Sequence, residues 1–250
     1  MKPVVLITGG AKRLGLACCM AFVARGWRVA CHYNHSQADA LALKAALGDE
    51  CDIFACDLGD VDQVQKLVPA VIKRFGSLAC VVNNASIFEA DEGISFTAPT
   101  FLKHQTINVL APLLLAQALA VHCQQRGEVG SAVHVLDQKV DNLNPDYFSY
   151  TVSKLALRDT VKLQAQALAP NIRVLGVSPG LIYVSGPQSE ANFKKAASVN
   201  LLKTPTDPAN VARAIVDLVT NPAINGAIVN VDSGQHLVPL GRDVMFLMDE

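Results

Sequence analysis

The feature that most constrains this chain is an alternation of short, β-branched apolar runs with longer stretches carrying an apolar residue every three or four positions. The runs predict strands at Val4-Ile7, Arg28-His32, Ile53-Ala55, Leu78-Asn83, Ala132-Leu136, Arg173-Ser178 and Ala227-Val231. The stretches between them predict helices near 13–25, 36–47, 60–74, 100–126, 148–168 and 207–220. Parallel strands need long crossovers, and helices supply them. Runs such as Val4-Val5-Leu6-Ile7 are apolar throughout rather than alternating, as expected of strands covered on both faces. The rhythm reaches Val231 without a linker, so residues 1–250 are expected to form a single α/β domain. The polar stretch 183–200 fits neither pattern and is a candidate substrate lid.

Composition narrows the function. The chain is 51% hydrophobic and 17% charged with a formal net charge of -1, enough apolar material for a large core and no basic footprint for nucleic acid. Met1-Lys2-Pro3 followed only by Val4-Ile7 is too short for a secretory signal. Val109 to Val121, interrupted by Pro112 and Gln117, falls short of the roughly 18 apolar residues of a membrane span. A cytoplasmic protein without membrane partners is expected. Seven cysteines show no C-x-x-C spacing and read as buried small hydrophobes, with no metal site. Apolar residues around much of helices 100–126 and 148–168 suggest a homo-oligomer, a tetramer in preference to a dimer. The tail 237–250, with Val244, Met245, Phe246 and Leu247, is expected to pack on a neighbouring subunit.

After the first strand comes Thr8-Gly9-Gly10-Ala11-Lys12-Arg13-Leu14-Gly15 and then an apolar helical run. A strand, a glycine turn and a helix start aim free backbone N–H groups and a positive dipole end at one point, where a pyrophosphate can sit. This is the start of a doubly wound Rossmann-type sheet. NAD-binding folds usually place an acid at the end of strand two, but here Cys31-His32-Tyr33-Asn34-His35-Ser36 carries none. Arg13, His32, Asn34, His35 and Ser36 can donate to a 2′-phosphate, so NADP is expected over NAD; the alternative is that they are plain loop polar residues.

Tyr150 and Lys154 stand four residues apart, on one face of a helix. A nearby ammonium favours phenolate, which is expected to bring the Tyr150 pKa down from about 10 toward working pH. Together with the turn Thr8 to Gly15, Asp57-Leu58, Asn83-Asn84-Ala85, Asn108 and Ser178-Pro179-Gly180, this pair resembles the short-chain dehydrogenases/reductases in order and spacing. The resemblance implies that Tyr150 donates the proton, Lys154 binds the nicotinamide ribose and Asn108 holds a water in a proton relay. It also implies a cofactor held by Gly9, Arg13, Leu14, Tyr33, Asp57, Leu58, Asn84, Ala85, Ser86, Pro179, Gly180 and Leu181.

Two departures sharpen the expectation. Asp137 stands thirteen residues before Tyr150, where that family carries its catalytic serine, and Arg13 replaces the second glycine of the turn. A fixed carboxylate repels a forming alkoxide but tolerates protonation of a ring nitrogen. Both departures, with Asn84-Ala85-Ser86-Ile87-Phe88, resemble the pteridine reductases. That resemblance implies a pterin ring sandwiched between Phe88 and the nicotinamide, with Ser86 and Arg13 at its polar edge or at the cofactor phosphate; His35 stands where an arginine is typical. Taken singly, Phe88 also reads as core, Asp137 as a helix cap or a partner of Lys139, and Arg13 as a surface cation. The function expected is NADPH-dependent reduction of a dihydropteridine, dihydrobiopterin- or dihydromonapterin-like, to the tetrahydropterin. The alternatives are another short-chain reductase acting on a carbonyl, or a non-catalytic NADP-binding sensor.

Overall fold

Val4, Val5, Leu6 and Ile7 are all fully buried, because the strand they form lies at the centre of a sheet with helices on both faces. The computed structural model describes residues 2–184 and 188–247. Its elements run β1 (Val4–Ile7), α1 (Arg13–Ala24), β2 (Arg28–Tyr33), α2 (Gln37–Leu47), β3 (Cys51–Ala55), α3 (Val61–Phe75), β4 (Cys80–Asn83), α4 (Ala98–Gln105), α5 (Ala111–Arg126), β5 (Gly130–Val135), α6 (Phe148–Ala167), β6 (Ile172–Pro179), α7 (Glu190–Ala196), α8 (Pro208–Thr220) and β7 (Ile228–Val231). The strands form one parallel seven-stranded sheet in the order β3-β2-β1-β4-β5-β6-β7. The order reverses between β1 and β4, and the crevice beyond their C-terminal ends is where such sheets bind ligands.

Alternate residues of each strand feed two cores. Val5, Ile7, Val29, Cys31 and Val82 pack under α1 and α8, while Val4, Leu6, Ala30, Val81 and Val174 pack under α3 and α5. All seven cysteines are free and buried, as their apolar settings predict. Strand edges differ from expectation by a few residues. β5 starts two residues early, at Gly130, where a Cβ would stand 2.8 Å from Cys123 Sγ. Only glycine allows that approach.

The helix expected over 100–126 runs continuously from 98 to 126, through a π turn at Thr106–Leu110. Pro112 has no N–H for the Asn108 carbonyl and its ring crowds that carbonyl; the π turn absorbs the conflict instead of breaking the helix. Joined in this way, Ala98–Arg126 passes the length and composition test for a membrane span, a test that buried core helices also pass. The inner face of this segment, with Leu115, Ala116, Leu119 and Cys123, belongs to the core.

Within 183–200, residues 185–187 lie outside the described residues; the rest includes the unpredicted helix α7, capped by Ser189. The tail folds back on its own chain through Arg242 on Asp146, Asp243 on Lys139 and the Tyr147 hydroxyl on Met245 Sδ at 2.9 Å, while Phe246 and Leu247 stay half exposed. Residues 248–250 of it lie outside the described residues.

Candidate active site

Beyond β5 and α6 lies a cavity of about 430 Å³, and Asp137, Tyr150 and Lys154 all line it. Asp137 follows the end of β5 and caps one short turn, its Oδ1 accepting the Lys139 N–H at 2.8 Å. Its Oδ2 accepts the Tyr150 hydroxyl at 2.7 Å. The cap and the contact with the phenol thus coexist on two oxygens of one carboxylate.

The electrostatics of this pair differ from expectation. Burial, then the adjacent Asp137 carboxylate, hold the Tyr150 phenol well above its ordinary pKa. Burial also raises the Asp137 carboxyl, against the hydrogen bonds and lysines that lower it. Lys154 does not bring the phenol down. Its ammonium donates to the Val135 carbonyl at 2.8 Å and lies 5.7 Å from the Tyr150 ring centroid, and burial lowers its own pKa to about 8. The site is built to keep a proton on the Tyr150–Asp137 pair rather than to strip it.

The glycine turn sits beside this cavity. Gly9 has φ +62, and a Cβ on Gly15 would lie 2.0 Å from the Gly9 carbonyl oxygen, so the first turn of α1 packs directly against the loop. No side chain caps α1 and its first turn holds no acid. Its free N–H groups therefore suit the pyrophosphate of a dinucleotide. Asn84 secures the turn from β4, donating to the Thr8 carbonyl at 2.9 Å.

Residues 9–236 match the enoyl-(acyl carrier protein) reductase family of short-chain dehydrogenases/reductases. The chain is a short-chain dehydrogenase/reductase. It lies in the pteridine reductase-like branch. It is 28% identical to the dihydromonapterin reductase of Escherichia coli O6:K15:H31 over 235 residues, 93% of this chain and 96% of that one. An uncharacterized oxidoreductase of Methylorubrum extorquens is 29% identical over 242 residues, 92% of this chain and 96% of that one. Crystal structures of FolM alternative dihydrofolate reductase 1 from Brucella canis and Brucella suis, both with NADP, superpose with a TM-score of 0.90 at 32% identity. Each covers 94% of this chain, and this chain covers 94% and 95% of theirs.

In this reductase the cavity also collects Arg13, Leu14, Asn84, Ser86, Phe88, Pro179, Gly180 and Leu181. Gly180 is there because a Cβ would stand 2.8 Å from Gln235 Oε1, the acceptor of the Leu181 N–H. Arg13, with φ 50, reaches the Val184 carbonyl at 3.4 Å and lies 5.9 Å from the Tyr183 ring centroid, joining the glycine turn to the segment after β6. Phe88 stacks on Tyr147 with centroids 3.9 Å apart and meets Tyr150 edgewise at 4.7 Å. One of its faces is therefore taken, and a substrate ring has at most the other.

Two expected residues lie elsewhere. His32 is buried, accepting the Gly9 N–H at Nδ1 (3.0 Å) and donating from Nε2 to the Cys56 carbonyl (2.9 Å), and burial lowers its pKa. It holds the glycine turn and cannot reach a 2′-phosphate. Asn108 is buried behind the cavity. Its Oδ1 takes the Ile87 N–H at 2.9 Å and its Nδ2 donates to the Ile87 carbonyl at 3.1 Å and to Ser153 Oγ at 3.0 Å, so the side chain positions the residue before Phe88. Asn34 and His35 are exposed at the end of β2 beside half-buried Tyr33 and Ser36. Asn34 Nδ2 lies 3.4 Å from Asp57 Oδ1, and Leu58 is buried beside Asp57. Ala85 donates its N–H to Thr8 Oγ1 at 3.0 Å.

Sequence reasoning missed Gln138, Lys139, Tyr147 and the tail residues Asp243 to Met245, all on the cavity or its wall. Lys139 is 2% exposed and is held by Asn144 Oδ1 and Asp243 Oδ2. Nothing local marks a lysine as buried when its partner is 104 positions away.

Proposed function

We propose that this chain is an NADPH-dependent reductase that converts a dihydropteridine to its tetrahydro form. The observation that carries the proposal is the 2.7 Å hydrogen bond between Tyr150 and Asp137 at the cavity wall. Two kinds of relative support the substrate and cofactor: reductases named for dihydromonapterin, and FolM structures holding NADP.

NADPH bound in the groove supplies the hydride. Gly9, Asn84 and the start of α1 would receive its pyrophosphate, Asn34, His35 and Ser36 would face its 2′-phosphate, and Lys154 would hold its nicotinamide ribose, while Arg13, on the Val184 carbonyl, stands at the cavity instead. Pro179, Gly180 and Leu181 line the nicotinamide end. The substrate C=N carbon gains the hydride and its nitrogen gains the Tyr150 proton, leaving C–H and N–H bonds. With Asp137 protonated, its O–H turns to Tyr150 and resupplies that proton as the phenol gives up its own; a heavy-atom distance of 2.7 Å serves either direction. A phenolate beside an ionised Asp137 is thereby avoided.

An ionised Asp137 would meet an alkoxide about 4 Å away with a repulsion of roughly 4 kcal/mol at an effective dielectric of about 20; a protonated Asp137 removes that repulsion, so the preference for a pterin over a ketone rests on the dihydromonapterin reductase and FolM relatives. Purified protein with NADPH should oxidise the cofactor when given dihydromonapterin or dihydrobiopterin, and more slowly with NADH. Turnover of ketones or quinones with no turnover of pterins sinks the reading.

The proposal includes a cytoplasmic homotetramer. It is supported by large apolar residues left exposed on the two longest helical segments: Leu102 (61%), Val121 (48%) and Leu163 (63%). The stretch 183–200 serves as the lid, its Asn192 Nδ2 donating to the Met245 carbonyl at 3.0 Å.

A further inference from the structure

Tyr150 stands in the first turn of α6, the part of a helix that frays most readily because its N–H groups have no partners inside the helix. The residue before α6 does not cap it. Tyr147 has φ +55, and its side chain takes no N–H of the turn. The cap comes from 58 positions earlier in the chain: Asp91 Oδ1 accepts the Ser149 N–H at 2.9 Å, and the Asp91 carbonyl accepts the Phe148 N–H at 3.2 Å. Asp91 also brings a carboxylate to the positive end of α6, whose first turn carries no acid of its own.

A cap from outside holds only as firmly as the loop that carries it. That loop is fixed to the helical segment 98–126 at two points. Asn108 holds Ile87, and buried His104 holds Glu89, its Nε2 accepting the Glu89 N–H at 3.4 Å while Nδ1 donates to the Thr100 carbonyl at 2.9 Å. Phe88 lies between those points and meets Tyr150 edgewise. One anchored loop therefore touches the phenol ring and fixes the start of the helix that carries it.

We propose that Asp91 is a positioning residue for proton transfer: by capping the turn that carries Tyr150, it holds the phenol oxygen in place between Asp137 and the reacting nitrogen. Lys154, one turn further along α6, keeps its place without it. The inference rests on the reductase reading above. The test measures kcat and KM for dihydromonapterin at saturating NADPH, and the NADPH dissociation constant by fluorescence, in wild type, Asp91→Ala and Asp91→Asn, each well below its melting temperature. Asp91→Ala is expected to lower kcat at least about tenfold, the cost of a small displacement of a reacting group. Asp91→Asn keeps an acceptor for the Ser149 N–H and should hold kcat within about threefold of wild type, asparagine being as good a cap as aspartate. KM and NADPH affinity stay within about twofold in both, as for a loss felt in the transition state alone. Where the alanine variant does not fold, Asp91→Gln, whose extra methylene displaces the acceptor, reads the same loss of kcat.

A residue serving stability alone would lower the melting temperature and leave kcat intact. A kcat within about twofold of wild type once the cap is removed, an asparagine variant as slow as the alanine one, or NADPH affinity falling in step with kcat overturns the assignment. Turnover of no pterin by wild type overturns the reductase reading itself, and this inference with it.

Discussion

At the scale of single residues, the chemistry turns on which groups hold protons. Tyr150→Phe removes the donor and is expected to lower kcat about 10²–10⁴-fold while NADPH binding, followed by fluorescence, is retained. Asp137→Ser is expected to damage pterin turnover, since it removes the carboxyl proton that resupplies Tyr150; unchanged pterin rates would contradict the relay. Lys154 predicts a pH limb. Its folded pKa of about 8 is below the ordinary 10.5, so its ammonium is lost as pH rises through 8. The kcat/KM for NADPH should fall above that pH, and Lys154→Arg should carry the limb beyond the accessible range. Tyr150 and Lys154 share a helix face by their spacing, but their roles, and that of Asp137 at the end of a strand, were legible only through the resemblance to short-chain reductases. His32 was not. A histidine at the end of β2 looks like a phosphate donor until the Gly9 N–H and the Cys56 carbonyl are seen on its two nitrogens.

At the scale of elements, two irregular segments place these residues. The glycine turn works because α1 begins against it, and Gly15→Ala would drive a Cβ to 2.0 Å from the Gly9 oxygen. Its overpacking costs about 1–3 kcal/mol, and a titration should show NADPH binding weakened at least about tenfold. The π turn is the other device. Asn108, held there by the Pro112 conflict, spends three hydrogen bonds on Ile87 and Ser153. Asn108→Ala is expected to cost about 2–3 kcal/mol in denaturant melts and to lower kcat by loosening Phe88. The helix over 100–126 was readable from its period, and Pro112 marked a disturbance in it. Only the folded helix shows that the disturbance becomes a π turn rather than a break.

At the scale of the whole molecule, the tail and the sheet tie the cavity to the fold. Asp243→Asn removes the carboxylate paired with buried Lys139 and should destabilise the protein by roughly 3 kcal/mol, and Arg242→Ala, which strips the buried Asp146 carboxylate of its guanidinium partner, should also lower the melting temperature. Low pH acts on the same architecture. Burial lowers the pKa of His32, His122 and His134, the last to about 4. As pH falls below about 6.5 the unfolded chain takes up protons these histidines refuse in the fold, so stability is lost between 6.5 and 4, opposed only in part by the raised Asp137. The melting temperature should fall over that window, and less steeply in His134→Gln. Periodicity and punctuation were enough to specify the seven strands and the glycine turn, because strands, helices and turns are local patterns that a linear chain displays; the Asp137–Tyr150–Lys154 set was marked by the resemblance to short-chain reductases. The tail's place over its own cavity and the burial of Lys139 were settled in three dimensions alone: each depends on groups far apart in the chain meeting where water is excluded, and no local pattern records such a meeting.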